Sequence, residues 1–175
     1  MSDGLSPICS ALETSPGQGA VLATLVKVVG SAYRRPGAMM LVAHDGSAVG
    51  TISGGCLESD VRAHAERVLG AGKPSLLHYD LARDDPVWGL GMGCKADIDV
   101  LLEPLAPGAL PGHLAFTREL ERTRSSGVVA TVFHSDSEAA PVGARLLLAQ
   151  GPTRGGGAPG PAGDLTSGPP HDAIL

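Results

Sequence analysis

Residues 50–58, Gly50-Thr51-Ile52-Ser53-Gly54-Gly55-Cys56-Leu57-Glu58, decide how this chain folds. The stretch is typical of a strand end, a tight glycine corner and the first turn of a helix that contains a cysteine. Adjacent glycines permit positive φ angles and a close approach of the backbone to a ligand. N–H groups beside a helix N-terminus favour an anion or a thiolate, so Cys56 is expected to ionise more readily than an ordinary thiol. The corner is therefore a candidate ligand site.

The residues on either side of the corner predict a hairpin followed by a helix. Strands are expected at 38–43 and 47–52, with Asp45-Gly46 as the turn between them. The helix is expected at about 56–69, ended by glycines and by Pro74. Its apolar stripe consists of Leu57, Val61, Ala65 and Val68. On another face, Arg62 can form i,i+4 charge pairs with Glu58 and with Glu66.

The rest of the chain predicts further strands and helices around this unit. The run at 20–29 is almost continuously apolar and β-branched, which is typical of a buried central strand. Other strands are expected at 75–81, 97–105, 127–134 and 142–150, with a helix at 113–124 and a short one near the N-terminus. The fold class is therefore α/β or α+β, with a mixed sheet of six to seven strands and two or three helices.

Two pairs of segments resemble each other along the chain. AVLATLV at 20–26 is similar to GVVATVF at 127–133, and GAMMLVA at 37–43 is similar to GARLLLA at 143–149. The internal similarity predicts two related strand–loop–strand units in one sheet. Two unrelated hydrophobic hairpins explain it equally well.

Length and composition restrict the classes of protein to which this chain can belong. The 175 residues suit one domain, expected at 1–150, and 151–175 hold seven glycines and five prolines, which predicts a disordered tail. The net charge of −5 and the lack of a dense Lys/Arg block argue against a nucleic-acid or membrane partner. With three cysteines, no secretory signal and no run of about 18 apolar residues, a cytoplasmic protein with reduced thiols is expected.

A second small-residue cluster could join the first at one edge of the sheet. Ser53-Gly54-Gly55-Cys56 and Gly91-Met92-Gly93-Cys94 both adjoin predicted strands and could enclose a flat, anionic ligand whose phosphate is held by backbone N–H groups. Arg34 and Arg35 could add a charged partner. The ordinary alternative is a plain glycine corner, a buried cysteine and a solvated arginine pair.

Other kinds of site are less favoured. The cysteines lack zinc-ligand spacing, and His64 and His78 are expected to be ordinary surface or hydrogen-bonded histidines. The glycines at 89, 91 and 93 precede a strand, unlike a dinucleotide fingerprint. Glu58 could be a general base, but a partner for the helix dipole is the better interpretation.

Several of these motifs, in this order, resemble the xanthine dehydrogenase accessory family, XdhC/CoxI. They are Gly30-Ser31, Arg35-Pro36-Gly37-Ala38-Met39-Met40-Leu41-Val42, Asp45-Gly46, the corner at 50–58, Tyr79-Asp80-Leu81, Trp88-Gly89-Leu90-Gly91-Met92-Gly93-Cys94 and 98–104. The resemblance covers about 20–150 and is dense at 30–105.

The resemblance implies a maturation factor that turns over no substrate of its own. Such a protein binds molybdenum cofactor, assists its sulfuration and delivers it to xanthine dehydrogenase or a related molybdenum hydroxylase, with a cysteine desulfurase as a further partner. The implied cofactor-binding residues are Ser53, Gly54, Gly55, Cys56, Gly91, Gly93, Cys94 and Arg35, with Cys56 as a molybdenum contact through the bound cofactor. Whether the chain forms a homodimer is left open.

The chain departs from the family pattern in three places. Lys95-Ala96 follow Cys94 where Gly-Gly is usual, Ala32-Tyr33-Arg34 stand where Ser-Pro-Arg is usual, and Gly/Pro-rich sequence follows residue 150 where a Rossmann-like domain is usual. A short form, a fragment and a frameshifted product are the alternatives for this last departure. Two other functions stay open: a thiol-dependent redox enzyme that uses Cys56 and Cys94, and a non-catalytic docking module for a dehydrogenase.

Overall fold

The computed structural model describes residues 4–14, 17–81, 95–108 and 110–150. These belong to two compact units, Met1–Ala109 and Leu110–Leu175, here called the N-terminal and C-terminal units. The N-terminal unit contains α1 (Leu5–Thr14), β1 (Ala20–Ser31), β2 (Met39–Ala43), β3 (Ala48–Gly50), α2 (Glu58–Ala71), β4 (Ser75–Asp80) and β5 (Lys95–Leu105). The C-terminal unit contains α3 (Gly112–Thr123), β6 (Ser126–Thr131) and β7 (Arg145–Gln150). The predicted tail at 151–175 lies outside the described residues.

The N-terminal unit is built on a five-stranded sheet in the order β3-β2-β1-β5-β4. Every neighbouring pair in it is antiparallel. The apolar run predicted to be a central strand is β1, which pairs with β2 along one edge and with β5 along the other. The Asp45-Gly46 turn is confirmed, because the Gly46 N–H donates to the Ala43 carbonyl.

The core of this unit lies between α2 and one face of the sheet. Its buried members alternate along the strands, as a two-residue period requires. They are Val21, Ala23, Leu25, Met40, Val42, Ala96, Ile98, Val100 and Leu102 from the sheet, with Ile52, Leu57, Val61, Ala65 and Val68 from the corner and α2. The apolar stripe predicted for α2 is therefore confirmed as the side that packs on the sheet.

The opposite face of the sheet carries α1. Leu5, Ile8 and Cys9 are the buried residues of α1, which contacts β2 and β3. Leu22 and Leu41 lie opposite each other on neighbouring strands and are buried on this second face. The sheet is thus covered by one helix on each side.

The C-terminal unit repeats the first hairpin in its register. Leu25 exchanges backbone hydrogen bonds with Gly37 and Ala38, and Val132 does the same with Gly143 and Ala144. The positive φ angles of Gly37 (95°) and Gly143 (91°) also agree. The strand pairs match throughout, from Thr24↔Met39 and Thr131↔Arg145 to Ala20↔Ala43 and Gly127↔Ala149. The two predicted strand–loop–strand units are confirmed as equivalent hairpins.

The predicted class and numbers of elements are confirmed, with three helices and seven strands in the described residues. The expected single mixed sheet is replaced by an antiparallel sheet of five strands and a hairpin of two. The third strand is also shorter than expected and stops at Gly50. It stops there because the N–H groups of Ile52 and Ser53 donate to the Glu58 carboxylate.

Candidate functional site

The glycine corner joins β3 to α2 as an irregular turn. Gly54 and Gly55 have φ angles of 87° and 123°, which explains the need for glycine at both positions. The helix begins at Glu58 with Leu57 as its N-cap, so Cys56 lies just before the helix rather than in its first turn. The predicted start at Cys56 was two residues early.

The Glu58 carboxylate fills the concave side of this corner. Six hydrogen bonds converge on its two oxygens, so that this single side chain holds the turn together. The donors are the backbone N–H groups of Ile52, Ser53, Gly54 and Gly55, at 2.9–3.2 Å, and the hydroxyls of Thr51 and Ser53. Such a ring of N–H and O–H donors is an anion-binding concavity, and its anion is Glu58.

The hydrogen bonds also fix the charge of Glu58. Partial burial alone would raise the pKa of this carboxyl, but the hydrogen bonds from Ser53, Thr51 and the backbone outweigh it and lower the pKa to about 2. Glu58 is therefore ionised at neutral pH. Its position in the first turn of α2 agrees with the helix-dipole partner expected from the sequence.

This arrangement corrects the expectation that the corner's N–H groups hold a phosphate. The donors of Gly54 and Gly55 are already engaged by Glu58. A phosphate bound there would have to displace an ionised carboxylate from all its partners. The sequence shows a glutamate near the start of the helix, but the spacing of Ser53 and Glu58 is not that of a capping box, so this role had no local signal.

Ser53 belongs to the framework of the corner. It is 5% exposed, its hydroxyl donates to Glu58, and its oxygen accepts the Leu57 N–H at 2.9 Å. This last bond holds the N–H of Leu57, the residue just before α2. A buried residue with these bonds supports the corner and offers little surface to a ligand.

Gly55 and Cys56 lie at the end of the corner, just before the start of α2, and differ in exposure. Cys56 is half-buried and packs partly against the core, while Gly55 is exposed. No heavy atom lies within 4 Å of the position that a Cβ at Gly55 would occupy. Space is thus open beside Gly55, next to Cys56 in the chain.

The loop that follows β1 contacts the corner through Tyr33. An ideal Cβ on Gly54 would lie 2.6 Å from the Tyr33 Cδ1 atom, so the ring rests directly on this glycine. Tyr33 is nevertheless 76% exposed. The predicted ligand Arg35 is exposed on the same loop, and Arg34 is half-buried. Sequence reasoning noted Tyr33 only as a departure from the family pattern, although an exposed tyrosine is unusual in a chain with so few aromatic residues.

The second cluster, with Gly91, Gly93 and Cys94, lies outside the described residues. Ala96, which follows Lys95, is buried in β5 and its carbonyl accepts the Leu81 N–H.

One polar contact joins α2 to β4, and two further hydrogen bonds hold the histidines of these elements. The Tyr79 hydroxyl donates to Asp60 in the first turn of α2 at 2.7 Å, and burial together with Asp60 raises the pKa of Tyr79. The His78 ring lies 2.7 Å from the Asp99 carboxylate and the His64 ring lies 3.0 Å from the Asp60 carbonyl. Both histidines are hydrogen-bonded, as predicted.

Among the residues that the structure describes, no group of three or more His, Cys, Asp or Glu side chains could hold a metal ion. Within the same residues, no helix has the length and apolar character needed to cross a bilayer.

Comparison with known proteins places the corner inside a recognised family segment. Residues 14–80 match the model of the XdhC and CoxI family. The chain is 45% identical over 85 residues to a probable xanthine dehydrogenase subunit of Bacillus subtilis (strain 168), covering 48% of this chain and 26% of that protein. It is 35% identical over 112 residues to the molybdenum cofactor insertion chaperone PaoD of Escherichia coli (strain K12), covering 64% of this chain and 34% of that protein.

The fold agrees with a solved structure as well. A crystal structure of a xanthine dehydrogenase from Bacillus halodurans matches with a TM-score of 0.61 and 39% sequence identity. The match covers 77% of this chain and 39% of the other. The chain thus spans only 26–39% of the length of these three relatives.

Proposed function

Because the chain belongs over residues 14–80 to the XdhC and CoxI family, we propose that it is an accessory protein for molybdenum hydroxylases. It binds molybdenum cofactor as cargo, assists the sulfuration of the cofactor, and helps to insert it into xanthine dehydrogenase or a related enzyme. The similarity to a cofactor insertion chaperone supports a maturation factor without substrate turnover of its own. A cysteine desulfurase is the chemically suitable donor of the sulfur.

The observation that carries this proposal is the corner held by Glu58 and Ser53, with the half-buried Cys56 at its end. Glu58 and Ser53 fix the backbone on both sides of Cys56. The thiol is consequently presented from a preformed position, and little ordering entropy is lost when it binds. Thiolate sulfur is a soft ligand that suits molybdenum or the dithiolene of its cofactor.

We assign the parts of the cargo to residues from the charges and backbone shape of the corner. An ionised Glu58 repels a phosphate, so the cofactor's phosphate is assigned to the exposed guanidinium of Arg35 in the neighbouring loop. Gly54 and Gly55 then serve the site through backbone shape, because they allow a flat ligand to approach closely. Gly91, Gly93 and Cys94 are retained as a second, weaker contact with the same cargo.

Reconstitution of a molybdenum-free xanthine dehydrogenase tests the proposed delivery. We expect cofactor presented by this chain to restore more activity than the same amount of cofactor alone. We expect Cys56→Ser to reduce about tenfold the activity restored in excess of that obtained with cofactor alone. A tenfold weaker binding of the cargo corresponds to about 1.4 kcal/mol. The measured quantity is the initial rate of substrate oxidation after anaerobic loading.

Cys9→Ala is the matched control, because it removes a thiol that is buried in α1 instead of one at the corner. It should retain the gain. Equal restoration with and without the folded chain would overturn the delivery function.

A further inference from the structure

Tyr33 is an exposed aromatic residue beside the candidate site. The other aromatic residues in the described part of the chain, Tyr79, Phe116 and Phe133, are partly buried, whereas Tyr33 is 76% exposed. An aromatic ring left in water forgoes the stabilisation that burial of its large apolar area provides. A single exposed aromatic residue is common on protein surfaces, so exposure alone does not indicate a site.

The ring of Tyr33 lies with one face on Gly54. A Cβ on Gly54 would be 2.6 Å from the Tyr33 Cδ1 atom, and 3.0 and 3.1 Å from Cε1 and Cγ, the two ring carbons bonded to Cδ1. A point in the ring plane beyond Cδ1 would be considerably farther from Cε1 and Cγ, so Gly54 lies over the face of the ring. Because the residue is 76% exposed, the opposite face of the ring is open to solvent.

The backbone on both sides of this contact is held by hydrogen bonds. Under the ring, the Gly54 N–H donates to the Glu58 carboxylate at 3.2 Å and to the Thr51 hydroxyl oxygen at 3.1 Å. In the loop that carries the ring, the Ala38 N–H donates to the Arg35 carbonyl at 3.1 Å and closes a turn. The ring therefore rests on a preformed support, and little conformational entropy is lost when a ligand binds its open face.

The contact with Gly54 places the ring at the proposed cargo site. Gly54 is followed in the chain by Gly55 and Cys56, and Arg35 is two residues beyond Tyr33. The proposed cargo has three parts, which are a dithiolene that holds the metal, a phosphate and a flat pterin. Cys56 is assigned to the first part and Arg35 to the second, which leaves the pterin without a partner. A flat ligand at Gly54 meets the Tyr33 ring, because the ring covers that glycine.

We infer that Tyr33 is a cargo-binding residue whose open ring face stacks on the pterin of the cofactor. This role rests on the proposed function, since it concerns the same cargo. Pterin is a planar, fused heteroaromatic ring system like a nucleobase, and such rings stack favourably on exposed aromatic side chains. Stacking also selects a flat aromatic cargo, because bare molybdate and inorganic phosphate have no ring to stack.

The alternative arrangement is that Tyr33 shields Gly54 from the ligand. In that case the ring moves aside before a flat ligand reaches the glycine, and a smaller side chain at this position strengthens binding. The hydrogen bonds favour stacking, because the Gly54 N–H is already engaged by Glu58 and Thr51. Displacement of the ring would give up its contact with Gly54 and would offer the ligand no vacant N–H group there.

NMR signals of isotope-labelled tyrosine rings in the full chain test the stacking. The chain contains two tyrosines, and Tyr33→Phe identifies the signals of Tyr33 by their loss. The probe is molybdenum cofactor in its diamagnetic Mo(VI) form, added under anaerobic conditions. We expect saturable upfield shifts of the Tyr33 ring signals, since a stacked pterin shields them by its ring current. The signals of Tyr79, whose hydroxyl is bound to Asp60, should stay unchanged.

Two variants measure what the ring contributes to the affinity for the cofactor. Tyr33→Phe keeps the aromatic ring and should bind the cofactor as tightly as the wild type. Tyr33→Leu has an apolar side chain without an aromatic face and should bind the cofactor about tenfold more weakly. Both variants should unfold at the same urea concentration as the wild type, because the side chain is largely exposed.

The outcomes separate stacking from the proposed function. If the wild type binds the cofactor but the Tyr33 signals do not shift, or if Tyr33→Leu binds at least as tightly as the wild type, stacking is wrong and the cargo function stands. Equal shifts with inorganic phosphate alone, a probe of Arg35, would also overturn stacking. A wild-type chain that binds no cofactor would overturn the proposed function and the stacking together.

Discussion

Glu58→Gln is expected to lower the free energy of unfolding by about 2–4 kcal/mol. The carboxylate accepts six hydrogen bonds from the corner. A glutamine offers a single acceptor oxygen, and its amide NH₂ would face N–H and O–H donors that then lack a partner. The loss should be measured by urea denaturation at pH 7.

Glu66→Gln on the exposed side of α2 is the matched control and should cost less than about 0.5 kcal/mol. Thr51→Val, which removes one donor to Glu58, should fall between the two variants. If Glu58→Gln is as stable as Glu66→Gln, the carboxylate does not hold the corner together.

The chain is expected to lose stability in acid through two groups with different pH windows. Burial, assisted by the Arg145 charge, lowers the pKa of His113 from 6.5 to about 3. The folded state keeps His113 neutral while the unfolded state binds a proton below pH 6.5. The free energy of unfolding therefore keeps its full value above pH 6.5 and decreases as the pH falls toward 3. The decrease due to His113 is about 2 kcal/mol at pH 5.

Protonation of Glu58 reduces the free energy of unfolding at lower pH than His113 does. Its pKa is lowered from 4.5 to about 2, so its contribution is complete above pH 4.5 and is lost as the pH falls toward 2. Because the group is partly exposed, this contribution is about 1–2 kcal/mol after allowance for solvent screening.

Urea denaturation between pH 7.5 and pH 2 separates the two groups. His113→Gln should abolish the decrease in the free energy of unfolding between pH 6.5 and 5 and leave the decrease due to Glu58 at lower pH. His44→Gln, at an exposed residue, should change neither decrease. An unchanged profile in His113→Gln would show that the buried histidine is not the source of the first loss.

The fold could be predicted where a local pattern determines the structure. The apolar run at 20–29 and the stripe of Val61, Ala65 and Val68 placed β1 and α2 correctly, since periodicity shows which face is buried. The echo between 20–43 and 127–149 likewise predicted two hairpins with one register. The division into two sheets depends on long-range strand pairing, which local periodicity does not encode.

The candidate site was predicted only in part. Positive φ at Gly54 and Gly55 follows from the glycine pair itself. The partner of the exposed N–H groups could not be read from spacing alone, because the Glu58 side chain reaches them only after the chain has turned. The contact of Tyr33 with Gly54 joins residues 21 positions apart and leaves no local signal.

Glu58 gives the proposed cargo site its selectivity. A corner with vacant N–H groups would bind any phosphate-bearing cofactor. With Glu58 in place, the N–H groups of Gly54 and Gly55 are engaged and a half-buried thiol lies beside them, which we propose suits a soft metal centre better than a bare phosphate. The phosphate of the cargo then depends on the arginine loop.

Anaerobic equilibrium binding of molybdenum cofactor to the purified full chain tests the proposed cargo function most directly. We predict saturable binding of one cofactor per chain, binding about tenfold weaker in Cys56→Ser, and unchanged binding in the thiol control Cys9→Ala. Circular dichroism should confirm that all three proteins are folded. A folded wild-type chain that binds no cofactor, or Cys56→Ser that binds it as tightly as wild type, would contradict the proposed site.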